Sequence, residues 1–352
     1  MKNNLKNTKI AVIGNIAGSK TAANGQTVKT RVLVDSLARI YGKEQIMVFD
    51  TFGGVRTLFK VPYIALMALA RCRNVVILPA HNAVRVFVPL LTFLQGIFRD
   101  RRVHYVVIGG WLPDFIKDKW LLRRSLHRLF MIYAETHRME RALIDTGYKN
   151  VTYMPNFKPL EIVPESSLDK KFSEPYALCT FSRVCSIKGI SDAADAVMYV
   201  NSKSGHSVFS LDIYGKVEED EDDWFKSLMG RVSSEVRYRG IAPFDKSVQV
   251  LKDYAFMLFP TRYHGEGIPG TIIDAYAAGL PVVSSLYPNF SEIIDEGVTG
   301  FGYEFGNVEA LKSLLLRIAM NPKMILSLKK NCVRQAAKYQ PDTVIKILTF
   351  NF

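Results

Sequence analysis

Acidic residues are what the first part of this 352-residue sequence lacks. From Met1 to Lys158 there are 9 acidic side chains against 25 basic ones, a net of +16. The remainder holds 24 against 21, a net of −3, and the two sum to the +13 of the whole chain. So lopsided a field implies an anionic partner for the first half: a membrane face, a phosphorylated acceptor or nucleic acid. Cysteine is scarce as well. Cys72, Cys179, Cys185 and Cys332 form no CxxC pair, which excludes a zinc knuckle or a disulfide framework and reads as four cytosolic thiols. The most apolar stretch, Val84 to Phe98, is broken by Arg85, Pro89 and Gln95. It falls short of the roughly 20 apolar residues that a crossing helix needs. No secretory leader is expected, because the polar Met1–Lys9 is followed only by Ile10–Ile13 before Gly14 intervenes. A GxGxxG fingerprint is missing, and so is a P-loop: Gly14 to Gly18 is one residue short, and Ser19 precedes Lys20.

What is present is globular composition, with 48% hydrophobic and 22% charged residues. Single cores stop growing near about 250–300 residues, so two domains are expected. Short apolar runs separated by helical segments predict a buried parallel sheet. They are Ile10–Ile13, Ile46–Phe49, Val75–Leu78, Val103–Ile108, Phe130–Tyr133 and Val151–Met154. Residues 159–175 hold Pro159, Pro164 and Pro175 among polar residues and read as a hinge. A second α/β series follows, with strands over Tyr176–Thr180, Ser210–Tyr214, Val236–Tyr238, Phe256–Phe259 and Pro281–Ser284. The expected organisation is α/β, with one domain over 1–158 and another over 176–340. Strand carboxyl ends in such sheets are where ligands bind.

One segment carries most of the chemistry. After Phe259, a glycine-rich turn bears His264 and Glu266, a helix starts near Thr271, and Asp274 lies in its first turns. Free N–H groups at a helix start suit phosphate or sugar oxygens, and ionised carboxylates suit sugar hydroxyls. Two histidines compete for a functional role, His264 and His81. The latter follows the run Val75-Val-Ile-Leu-Pro-Ala. In the other direction, the acidic run Glu218–Asp223 contains Asp-x-Asp but precedes Trp224-Phe225, and reads as a solvated loop and helix start.

Glu266, seven residues, then Asp274, followed by Ala275-Tyr-Ala277-Ala-Gly279-Leu-Pro281-Val, resembles the Glu-x7-Glu element of the retaining glycosyltransferases built on two Rossmann-like domains, the GT-B fold of group 1 or family 4. The second acid departs from that pattern by one methylene. Arg183-Val-Cys-Ser-Ile-Lys188-Gly189 is similar to the family's Arg…Lys-Gly element. The resemblance implies two facing domains with parallel sheets, a first one for the acceptor and a second for the nucleotide-sugar, with a carboxyl-terminal helix over 341–352 packing back on the first. It assigns catalytic roles to Glu266, His81, Arg183 and Lys188. It places donor binding on Gly14, Gly18, Arg183, Lys188, Glu266, Gly267, Ile268, Pro269, Gly270, Thr271 and Asp274. The implied donor is a UDP- or GDP-sugar, with no metal and no other cofactor. The implied acceptor is a saccharide or a lipid-diphosphate-linked saccharide in polysaccharide synthesis. The expected location is the cytoplasm, with peripheral contact to an anionic membrane through the basic half. A nucleotide-sugar epimerase on the same architecture is the alternative. Nucleic acid is not expected, since no helix-turn-helix spacing, zinc motif or RNP-like stretch occurs.

Overall fold

The computed structural model describes residues 9–16, 25–52, 60–79, 81–168 and 172–352. The chain divides into two compact units, Met1–Pro159 with Tyr339–Phe352, and Leu160–Lys338. Each unit is built on a six-stranded sheet whose paired strands all run parallel.

In the first unit the strands are β1 (Ile10–Gly14), β2 (Ile46–Asp50), β3 (Asn74–Leu78), β4 (Arg102–Val106), β5 (Met131–Ala134) and β6 (Val151–Tyr153). They lie in the order β2-β1-β3-β4-β5-β6. β1 and β3 are buried at every position, which explains why their sequences are continuous apolar runs rather than alternating ones. Period-two alternation sends Ala11, Ile13, Val75 and Ile77 to one face. There they meet the inner sides of three helices, Val61–Arg71, His81–Leu94 and Trp120–Leu126. Ile10, Val12, Val76 and Leu78 go to the opposite face, beneath the helices Gly25–Tyr41 and Pro341–Thr349. The last of these contributes Val344, Ile345 and Leu348 to the first unit's core.

In the second unit the strands are β7 (Tyr176–Phe181), β8 (Phe209–Tyr214), β9 (Val236–Gly240), β10 (Phe256–Phe259), β11 (Val282–Ser285) and β12 (Gly300–Tyr303), ordered β12-β11-β10-β7-β8-β9. The sequence does not predict β12. Its Gly300 and Gly302 weaken any strand signal, yet packing requires them. A Cβ on Gly300 would meet the Val282 carbonyl oxygen at 2.0 Å, and one on Gly302 would meet Leu286 at 2.4 Å. The expected hinge also takes on structure at its start. Val163 N–H donates to the Ala277 carbonyl at 2.9 Å, and Glu165 pairs with Arg334 at 2.9 Å, so residues 160–168 pack on the second unit.

Both sheets reverse strand order once. In the first, the chain passes from β1 to β2 and then crosses to β3 on the other side of β1; in the second, it runs β7, β8, β9 and then crosses to β10 on the other side of β7. Crevices open outside the carboxyl ends of strands at such reversals. Gly14 ends β1 and His81 follows β3, while Arg183 and Lys188 follow β7 and Glu266 follows β10. Among the described residues, no helix is long and apolar enough to cross a membrane.

Candidate functional site

At the second unit's strand-order reversal two loops are pressed together. After β7, residues 182–185 lead into a single turn, Ser186–Lys188, and then Gly189 in a left-handed conformation (φ +68°). A Cβ on Gly189 would lie 1.9 Å from the Pro260 carbonyl oxygen, so only glycine lets this loop touch the one after β10. The Arg262 N–H donates to the Ile187 carbonyl at 2.9 Å, and the Arg262 guanidinium grips Asp192 through two bonds of 2.8 and 2.7 Å. This seam fixes where Lys188 and Glu266 stand.

Lys188 Nζ and Glu266 Oε1 form an ion pair with side chains only 11% and 10% exposed. The ammonium also lies 5.7 Å from the Tyr263 ring and 5.9 Å from Phe259. The cation is thus held by one carboxylate and two aromatic faces. The Thr261 hydroxyl donates to Glu266 Oε1 at 2.9 Å, and Asn289 Nδ2 donates to the Glu266 carbonyl at 2.6 Å. Ser285 in turn donates to the Thr261 carbonyl at 2.5 Å. Thr261, Ser285 and Asn289 are missed by sequence reasoning. They are ordinary polar residues whose burial and convergence on Glu266 exist only in three dimensions.

Gly267, Ile268 and Pro269 carry the chain from Glu266 into the helix Gly270–Ala277. Among the described residues no side chain caps that helix, its first turn holds no acid, and the Ile272 and Ile273 N–H groups turn back to the Pro269 carbonyl. Thr271 instead turns its hydroxyl to the Phe181 carbonyl at the end of β7, tying the helix start to the crevice. Asp274 is buried on the same helix at 3% exposure. His264 is exposed and packs on Phe305 (ring centroids 4.5 Å apart), so the structure does not bring it to Glu266.

Arg183 stands at the rim, 58% exposed, paired with Glu218 at 3.2 Å. Glu221 accepts from the Ser186 N–H at 3.2 Å and from its hydroxyl at 2.7 Å. The acidic run is therefore less solvated than its sequence implies: two of its six carboxylates reach back to the loop after β7. The other end of the run starts a helix, Asp222–Arg231, with Asp222 and Asp223 in its first turn.

In the first unit, a cleft of about 650 Å³ opens at the carboxyl ends of β1 and β3, lined among others by Gly14, Asn15, Gln26, Thr51, His81 and Asn82. Gly14 allows the helix Gly25–Tyr41 to approach, since a Cβ there would meet Thr30 at 2.9 Å. Gln26 Nε2 donates to the Leu78 carbonyl at 3.0 Å. His81 stacks on Trp111 (3.8 Å, 25°) with Phe115 edge-on at 5.4 Å. Burial lowers its pKa from the ordinary 6.5, so the ring is neutral at pH 7 and offers one donor and one acceptor. Sequence reasoning misses Asn15, whose Oδ1 is buried in this cleft without a hydrogen-bond partner among the described residues. Gly18 lies outside the described residues.

Residues 175–321, about two-fifths of the chain, match the family model described as "Glycosyl transferases group 1". The amylovoran biosynthesis glycosyltransferase AmsK of Erwinia amylovora is 28% identical over 173 residues, which is 47% of this chain and 42% of that protein. The matched stretch thus spans less than half of that relative's length. Among solved structures, HepE of Anabaena in complex with UDP-glucose has a TM-score of 0.72 at 16% identity, over 97% of this chain and 98% of that one. Sucrose-phosphate synthase of Thermosynechococcus elongatus has a TM-score of 0.75 at 14% identity, over 97% and 98%. The second unit is therefore similar to group 1 glycosyltransferase domains over residues 175–321, and the whole chain has the GT-B fold. These matches lend no support to the epimerase alternative.

Proposed function

We propose that the protein is a retaining glycosyltransferase that moves a hexose from a UDP- or GDP-sugar to a saccharide or lipid-diphosphate-linked saccharide, in cell-surface polysaccharide synthesis on the cytoplasmic side. The observation that carries this reading is the Lys188–Glu266 pair at the strand-order reversal of the second unit. It is supported by the group 1 match over the same residues, by the UDP-glucose in the HepE structure and by the amylovoran role in the name of AmsK.

The donor's diphosphate takes Lys188 and Arg183 from their carboxylates and lies against the uncapped start of the helix Gly270–Ala277. Fixed cations and oriented N–H groups then meet the negative charge that grows on the leaving phosphate. Glu266, released from Lys188, accepts from sugar hydroxyls, and the turn Gly267–Thr271 shapes the sugar pocket. Asp274, short and buried, holds the ribose less directly than a glutamate does. The first unit receives the acceptor, Gly14 serves the donor phosphates, and His81 and Asn15 in the same cleft offer hydrogen bonds to hydroxyls of the transferred sugar. The C1–O bond to phosphate breaks as the acceptor oxygen joins C1 on the same face, and the acceptor's proton passes to the departing phosphate. Neither a metal nor an enzyme nucleophile is used.

The test is a panel of UDP- and GDP-sugars incubated with saccharide and lipid-diphosphate-saccharide acceptors, with products identified by mass spectrometry and anomers by NMR. Transfer with retained configuration is expected. An inverted anomer would overturn the retaining mechanism, and an epimerised sugar formed without acceptor would overturn transfer itself.

A further inference from the structure

Tyr263, half-buried on the loop after β10, touches every part of the Lys188–Glu266 arrangement. Its N–H donates to the Thr261 hydroxyl at 3.2 Å, and that hydroxyl donates to Glu266 at 2.9 Å. The Lys188 ammonium stands over its ring. The ring also lies against Gly265. A Cβ on that glycine would meet the Tyr263 hydroxyl oxygen at 2.5 Å and Cζ at 2.6 Å, and the three nearest atoms all belong to this one side chain. The Gly265 backbone is outside the left-handed region, so its conformation does not call for glycine. Room for the ring does. Burial raises the Tyr263 pKa above the ordinary 10.0, Glu266 raises it further and Arg183 lowers it. The hydroxyl therefore keeps its proton at pH 7 and feels both charges. Among the described residues it makes no hydrogen bond. A protonated phenol with no acceptor, set beside two cations, suits an anionic oxygen.

We propose that Tyr263 is a further donor-binding residue: its hydroxyl donates to an oxygen of the sugar-bearing phosphate, and its ring keeps the Lys188 ammonium in place once Glu266 has let go. This role rests on the donor reading above and adds a neutral hydrogen-bond donor to its cations. Lys188 and Arg183 each give up a carboxylate to meet the diphosphate, Glu266 and Glu218 respectively. The Tyr263 hydroxyl has no ion pair to give up. Gly265 belongs to the same arrangement, because a side chain there would push the ring off Lys188.

The test is calorimetric titration of the full chain with UDP and UMP, and with GDP and GMP. The monophosphates keep base, ribose and first phosphate but lack the phosphate that bears the sugar. Tyr263→Phe, which keeps the ring, should bind the diphosphate about tenfold less tightly and the monophosphate as the wild type does. Tyr263→Ala, which also uncovers Lys188, should lose roughly threefold more of the diphosphate affinity. Gly265→Ala should resemble Tyr263→Ala, yet add no loss when combined with it, since the ring it displaces is then gone. Wild-type diphosphate affinity in Tyr263→Phe, or an equal loss for diphosphate and monophosphate, would make the tyrosine packing alone and overturn the proposal while the donor reading stands. Failure of the wild type to bind either diphosphate would overturn the donor reading, and this role with it.

Discussion

Lys29 and Glu135 in the first unit pair at 2.7 Å with side chains 2% and 3% exposed, while Lys188 and Glu266 in the second pair at 11% and 10%. The residue types are the same, and the surroundings differ. Lys29 Nζ also donates to the Val107 carbonyl at 3.0 Å, and Glu135 Oε2 also accepts from Gly109 N–H at 3.2 Å. That pair is sealed and saturated, and it clamps the segment that leads to Trp111 and thus to the ring stacked on His81. Lys188 and Glu266 stand at a crevice, with aromatic rings rather than carbonyls around the cation. Third partners and access to solvent, more than the pair itself, set the two apart.

The largest expected effect is on the sealed pair. Glu135→Ala or Lys29→Ala should cost about 3–5 kcal/mol in denaturant unfolding, because each leaves a buried charge alone. The double replacement Lys29→Met with Glu135→Leu should recover most of it. Next, Lys188→Ala or Glu266→Ala should slow transfer by about 10²–10³ with a smaller loss of stability than either sealed-pair variant. If the stability losses of the two pairs prove equal, the contrast between them fails.

A third prediction concerns pH and the first unit alone. His104 is fully buried between Tyr133 and Asn74, at 3.1 Å from each, and desolvation lowers its pKa from 6.5 to about 3. The unfolded chain takes up the proton first as pH falls. Stability from this group is therefore intact above pH 6.5 and declines below it, down to about pH 3, by about 1.4 kcal/mol per pH unit. Unfolding curves of the wild type and His104→Gln at pH 7 and pH 5 should thus differ by about 2 kcal/mol in their pH dependence. The smallest effect is expected at Asn289→Ala and Thr261→Val, about tenfold in kcat with a smaller change in KM, since these residues orient Glu266 without touching phosphate. A loss confined to KM would remove their positioning role.

What could be read from residues alone follows a physical division. β10 is legible to the residue because Phe256–Phe259 is a fully buried run closed by Pro260. β12 is hidden because packing demands glycine at two of its four positions. Arg183, Lys188 and Glu266 are singled out by the resemblance of their segments, and they stand on the loops after β7 and β10. Thr261, Ser285 and Asn289 are not, since a hydrogen bond between loops after different strands leaves no periodic trace. The same holds for Glu218 and Glu221, whose run of charge suggests solvent but whose partners lie 35 residues earlier in the chain.

The most direct measurement is calorimetric titration of the full chain with UDP, GDP and their sugars, in wild type, Lys188→Ala and the sealed-pair double variant. Binding of at least one nucleotide is expected, weakened about tenfold or more in Lys188→Ala, as for a lost charge-assisted contact, and unchanged in the double variant. Equal affinity of Lys188→Ala and the wild type would contradict the placement of the donor diphosphate at the β7–β10 crevice.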